Sequence, residues 1–146
     1  MIERGRGHLL YTSSLAAITP APGLAPYCAS KAGLTRFAET VRMEIKNTGV
    51  QVTTMHLGPV DTGMWERVTA NPAFDAAQQR LRKLRMIADV SPEQVAADAV
   101  QAVLKGKREV RHPKRLSGTM AIAALPGRIT EFLVSGIDHR VHKNQQ

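Results

Sequence analysis

A hydroxyl, a phenol and an ammonium fall within 18 residues of one another: Ser14, then Tyr27 thirteen positions later, then Lys31 four after that. Residues four apart on a helix share one face, one turn from each other, so Tyr27 and Lys31 address the same space. A free phenol has a pKa of about 10, too high for base work at neutral pH. A neighbouring cation stabilises the phenolate and lowers that value. Tyr27 in such a setting can exchange a proton with an alcohol or carbonyl oxygen. Lys31 has further donors for a ribose hydroxyl, and Ser14 can hydrogen-bond the substrate oxygen. The three residues together make a general acid–base with an electrostatic stabiliser. A bare Tyr-x-x-x-Lys is usually plain helix surface, and the surrounding elements decide whether this one is more.

Those elements follow from the sequence pattern. His8–Ser13 is a short apolar and partly aromatic run that predicts a buried strand ending in small polar residues. Leu15–Pro26 holds three prolines and a glycine and predicts a constrained loop. Pro26 suits a first helical turn, where its missing N–H costs nothing. A helix is expected from about Tyr27 to Lys46, with an apolar stripe drawn from Ala29, Ala32, Gly33, Phe37, Val41, Met43 and Ile45 and a stop at Asn47-Thr48-Gly49. The β-branched run Val50–His56 predicts a second strand. Strand, long helix, strand is a crossover unit, so the two strands should be parallel.

Leu57–Met64 reads as a loop at the carboxyl end of that second strand, followed by a polar helical segment over about Pro72–Ile87. Ser91-Pro92-Glu93-Gln94 is a helix start, with Ser91 as N-cap and Gln94 placed for a capping box. That helix should reach Leu104, with Val95, Ala96, Ala99, Val103 and Leu104 facing inward, and stop at Gly106. Glu109–His112 is a candidate third strand. Leu116–Leu133 is broken by Pro126-Gly127 and suggests two short helices.

The chain has 146 residues, 43% hydrophobic and 22% charged, which suits one globular domain with a real core. The single cysteine, Cys28, rules out an internal disulfide and any multi-cysteine metal site. No run approaches the roughly 20 apolar residues of a bilayer span, and Met1–His8 has no apolar core of a secretory signal. A cytoplasmic setting is expected. The net charge is +8, and from Lys105 onward nine Lys/Arg stand against three Asp/Glu. Such a tail is read first as a solvated face, with no nucleic-acid partner. A weak membrane-surface contact, with Ala121–Leu125 as a partly inserted apolar patch, is the lesser alternative.

Ser14 at a strand end, Tyr27-Cys28-Ala29-Ser30-Lys31 opening a helix, and Gly58-Pro59-Val60-Asp61-Thr62 after the next strand resemble the short-chain dehydrogenase/reductase family, over roughly residues 5–112. The resemblance implies an α/β fold, the C-terminal part of a doubly wound parallel, Rossmann-like sheet. Residues 1–115 would be that portion and 116–146 a basic helical extension. It further implies Ser14, Tyr27 and Lys31 as catalytic residues. Tyr27, Lys31, Gly58, Pro59, Val60 and Thr62 would bind NAD or NADP, between which the sequence does not choose. In the family the glycine of that loop usually follows a proline; here Leu57 precedes Gly58 and Pro59 follows it. The partners implied are a small carbonyl or alcohol substrate and further copies of the chain, as homo-oligomers are common in the family.

The family's glycine-rich phosphate turn, its Asn-Asn-Ala-Gly-like stretch and its ribose-reading residue do not occur in this sequence. The expectation is therefore a truncated chain. It is read first as an oxidoreductase of the short-chain type, and otherwise as an inactive remnant that at most partners a full-length paralogue. Ser13 is expected to hydrogen-bond structurally at the strand end, Cys28 to be a small packed residue, and His56 to be structural. Met64 and Trp65 are weighed equally as pocket lining or core.

Overall fold

The computed structural model describes residues 1–60, 72–83 and 89–112. Strands β1 (Gly7–Ser14), β2 (Val50–Leu57) and β3 (Glu109–His112) form one parallel sheet in the order β1-β2-β3. Helices α1 (Ala25–Glu44), α2 (Pro72–Lys83) and α3 (Pro92–Leu104) accompany it. Register runs from Gly7 opposite Val50 to Ser14 opposite Leu57, and from Thr54 opposite Glu109 to Leu57 opposite His112. All three strands thus finish at one end of the sheet, and Ser14, Leu57 and His112 lie side by side there.

β2 is the central strand and is buried over Val52–His56 without alternation, the pattern of a parallel strand covered on both faces. Three of those five side chains are polar, and each of the two threonines has a partner. Thr53 Oγ1 meets His8 Nε2 at 2.8 Å and also donates to the Lys107 carbonyl. Thr54 Oγ1 accepts from Arg42 Nη2 at 3.1 Å. Arg42 reaches down from α1 and also donates to the carbonyls of Val52 and Arg108, at 3.3 and 3.0 Å. One guanidinium thereby ties α1 to β2 and to the turn that enters β3. Burying hydroxyls is tolerable only because they are paired.

The helix α1 begins two residues before its expected start and ends two before its expected end. Its first turn closes early, with Cys28 N–H on the Leu24 carbonyl and Pro26 inside the turn where no donor is needed. At the other end Lys46 N–H bonds back to Met43, and Asn47 and Gly49 adopt positive φ of 71° and 77°. Its packed side differs from the expected stripe. Ala38 is fully buried and Leu34, Val41 and Ile45 are half-buried, whereas Ala29, Ala32, Gly33, Phe37 and Met43 are exposed.

Ser91 caps α3 as expected, accepting from Gln94 N–H at 3.2 Å. The reciprocal half of the box is not made: the Gln94 carboxamide donates instead to Asp98 at 3.1 Å. The inner side of α3 is Val95, Asp98, Ala99, Ala102 and Val103, with Ala96 and Leu104 outside. The expected helix over 72–87 is present as Pro72–Lys83. Its expected final residues, 84–87, the Leu116–Leu133 segment with the 116–146 extension, and Met64 and Trp65 lie outside the described residues. Among the described residues no helix is long and apolar enough to cross a membrane.

The turn entering β2 has a built-in requirement for glycine. A Cβ on Gly49 would collide with the Gly5 carbonyl, while the space around Gly5, at φ 61°, is open. Gly5→Ala should therefore cost only the left-handed penalty of about 1–2 kcal/mol, and Gly49→Ala clearly more, because backbone must move. Chemical denaturation of the two variants checks this ordering, and equal losses would contradict it.

Candidate active site

Ser14 ends β1 in extended backbone, φ −143° and ψ 159°, and its hydroxyl caps the 3-10 turn Leu15–Ala17 by accepting from Ala16 N–H at 3.2 Å. The same Oγ donates to the Leu57 carbonyl at 3.3 Å, across the β1–β2 pair. Position and direction of this hydroxyl are thus set by two neighbouring backbones at the carboxyl end of the sheet.

Tyr27 lies in the first turn of α1 and is 36% exposed. Lys31 sits one turn on, its Nζ 5.6 Å from the centre of the Tyr27 ring, within the range for attraction between a cation and an aromatic ring. The Lys31 ammonium also donates to the Thr12 carbonyl at 3.1 Å, close to the end of β1 that carries Ser14. Ser13 reinforces this joint: its buried hydroxyl donates to the Lys31 carbonyl at 3.2 Å and meets Thr35 Oγ1 at 2.7 Å. Helix start and strand end are therefore stitched together by Lys31 in one direction and Ser13 in the other. No hydrogen bond joins Ser14 to Tyr27 directly; the strand end and the helix bring them to the same end of the sheet.

The loop after β2 is held at each described residue. Gly58 N–H donates to the His112 carbonyl at 3.0 Å, the Pro59 carbonyl accepts from Val90 N–H at 3.1 Å, and Val60 forms a parallel bridge with Val90. Pro59 is buried. Thr62, the last of the expected cofactor residues, lies outside the described residues.

The donor inventory fits the ribose of a nicotinamide nucleotide. An ammonium has three N–H donors, and Lys31 commits one of them to Thr12. Donors thus remain beside a half-exposed phenol.

Behind the site stands His56, 2% exposed, with Nδ1 lacking a partner. Burial pushes its pKa below 6.5, a shift that nearby Glu109 opposes and Arg111 reinforces. A neutral structural histidine results. Cys28 is half-buried with Sγ 4.0 Å from the Ala21 carbonyl, a packed position. Two contributors were not legible in the sequence. Arg42 finds partners 10, 12 and 66 positions away, and Asp98 approaches His112 at 2.9 Å; a single sequence signals neither pairing. A separate cleft of about 450 Å³, lined by Arg42, Lys46 and Arg108 among others, opens at the opposite, amino end of β2.

Three parallel strands in one sheet, accompanied by helices, make an α/β, Rossmann-like arrangement. The chain matches the short chain dehydrogenase family over residues 1–73, half of its length, and it belongs to that family. It is 27% identical to the uncharacterized oxidoreductase YbbO of Escherichia coli over 140 residues, covering 93% of this chain and 51% of YbbO. It is 32% identical over 118 residues to the probable oxidoreductase EphD of Mycobacterium tuberculosis, covering 76% of this chain and 20% of EphD. The crystal structure of a short chain dehydrogenase from Burkholderia cenocepacia, in complex with NADP, superposes with a TM-score of 0.66 at 23% identity, over 92% of this chain and 49% of that one. The chain thus spans about half the length of YbbO and of the Burkholderia enzyme, and a fifth of EphD.

The depressed His56 pKa makes a signed prediction. The unfolded chain takes up a proton near pH 6.5 while the folded chain resists it, so stability is full above pH 6.5 and declines as pH falls toward the folded pKa. Melting temperature followed from pH 8 to 5 should show this decline, and His56→Gln should flatten it. His8, whose pKa burial also lowers, leaves a residual slope. An unchanged decline in the variant would contradict the assignment.

Proposed function

We propose that this chain carries the proton-transfer and nicotinamide side of an NAD(P)-dependent oxidoreductase acting on a carbonyl or alcohol substrate. The observation that supports it is the joint at the sheet's carboxyl end, where Lys31 lies between the Tyr27 ring and the Thr12 carbonyl, two residues before Ser14. A bound nicotinamide would supply or accept the hydride. Tyr27 Oη gives a proton to the carbonyl oxygen in reduction and takes it from the alcohol in oxidation. Lys31 holds positive charge beside the phenol and has donors for the ribose. Ser14 Oγ leaves its Leu57 contact to hydrogen-bond the substrate oxygen. Gly58, Pro59 and Val60 would form the wall against which the nicotinamide packs, and Thr62 is assigned to the same cofactor by the family resemblance alone. Either NAD or NADP suits this role; the NADP complex of the Burkholderia enzyme is a property of that protein.

Oligomerisation belongs to the same reading. Homo-oligomers are common in the family, and Phe37 and Met43 on α1 are 56% and 69% exposed; the family pairs this helix with a preceding one that this sequence does not contain, so the usual bundle is not expected here. A cytoplasmic location is the matching setting.

The second reading is a chain that retains these residues without turnover. The observation behind it is that the chain spans about half the length of YbbO and of the Burkholderia protein, while a dinucleotide is anchored largely through its phosphates, at a glycine-rich turn before a helix. NADPH and NADH oxidation against a panel of aldehydes and ketones separates the two. Under the first reading turnover is measurable, and Tyr27→Phe lowers it roughly 10²–10⁴-fold, the usual worth of a positioned acid–base. Turnover unaffected by Tyr27→Phe would overturn the assignment. Absence of both turnover and NADPH binding would establish the second reading.

A further inference from the structure

We propose that Asp98 and His112 are positioning residues that hold Gly58–Val60 in place by locking together the two elements that clamp this segment. The significance for nicotinamide binding rests on the reading above; the clamp itself does not. One clamp is the His112 carbonyl, which takes the Gly58 N–H at 3.0 Å from the last residue of β3. The other is Val90, which gives its N–H to the Pro59 carbonyl at 3.1 Å and bridges Val60. Val90 immediately precedes Ser91, the N-cap of α3.

These two clamps lie at opposite ends of one helix–strand unit in the chain, 22 positions apart. They are neighbours in space because the chain runs along α3 and returns along β3. Their relative placement therefore depends on how the first half of α3 sits against the end of β3. Asp98 and His112 meet at that point, Oδ2 and Nε2 2.9 Å apart, with side-chain exposures of 16% and 4%. Nε2 makes no directed hydrogen bond in this geometry, so the contact is a close polar approach between largely buried groups. Gln94, one turn earlier on α3, donates its carboxamide to the same carboxylate at 3.1 Å and fixes its rotamer.

The inner apolar residues Ala99, Ala102 and Val103 are small, and small side chains interlock less with a sheet than large ones. The Asp98–His112 contact opposes a shift of the helix along the sheet, since an ångström or two of sliding would take the carboxylate away from the buried His112 Nε2. Sliding of α3 would carry Val90 away from Pro59 while His112 kept Gly58, so the segment would shear.

Amide hydrogen exchange on the full chain, resolved by residue, tests this. Asp98→Asn should raise exchange at the Gly58 and Val90 amides at least tenfold, leaving Val52 and Met55 in the centre of β2 unchanged. Asp98→Glu, which keeps the carboxylate, should raise it less than Asp98→Asn. Unaltered exchange at Gly58 and Val90, acceleration spread evenly over β2, or equal effects of the two variants would each overturn the proposal. NADPH titration of the wild-type chain stands apart: failure to bind would count against the functional reading, while the exchange pattern still decides the clamp.

Discussion

The site depends on a single joint, the bond from the Lys31 ammonium to the Thr12 carbonyl. A helix presenting a Tyr–Lys pair has no function until its first turns are fixed relative to the strand that delivers the serine. Lys31 contributes to this while remaining beside the Tyr27 ring, so in the proposed site one side chain would both charge and help align it. Ser13 returns the favour from the strand, with its hydroxyl on the Lys31 carbonyl and on Thr35. The Lys31 bond is charge-assisted but exposed, and the two Ser13 bonds are neutral and part-buried. Replacing Lys31 would thus disturb geometry as well as electrostatics.

The same economy governs the interior. β2 is threonine-rich where parallel strands usually carry Val, Ile and Leu, and its hydroxyls are tolerated because His8, Arg42 and the Lys107 carbonyl meet them. Arg42 has no role at the site, yet it secures α1 against β2 and the entry to β3. The result is a sheet whose carboxyl ends are held in register, with Ser14, Leu57 and His112 abreast. The loop that follows Leu57 inherits that order through Gly58.

Much of this was legible in the sequence. The β-branched Val50–His56 run, the Pro26 helix entry, the Asn47–Gly49 stop and the short Glu109–His112 strand are all local signals, and each appears within two residues of its expected place. The trio Ser14, Tyr27 and Lys31 can be picked out by spacing and element order, and its catalytic role is the proposal made for it. Illegible were the packed faces. α1 carries apolar residues on both sides, so periodicity could not tell that Phe37 and Met43 face out while Leu34 and Ala38 face in. On α3 a polar residue, Asp98, turns inward because His112 waits there, and Leu104 turns outward. Burial of a charged side chain is decided by a partner distant in sequence, which a local pattern does not contain.

In the proposed role this chain would hold the nicotinamide end of a dinucleotide site. Saturation-transfer NMR from the protein to NADPH tests it most directly, since nicotinamide and adenine protons are separately resolved. The nicotinamide protons should receive the larger transfer, and Lys31→Met should abolish the difference. Larger transfer to adenine, or none to either ring, would contradict that role.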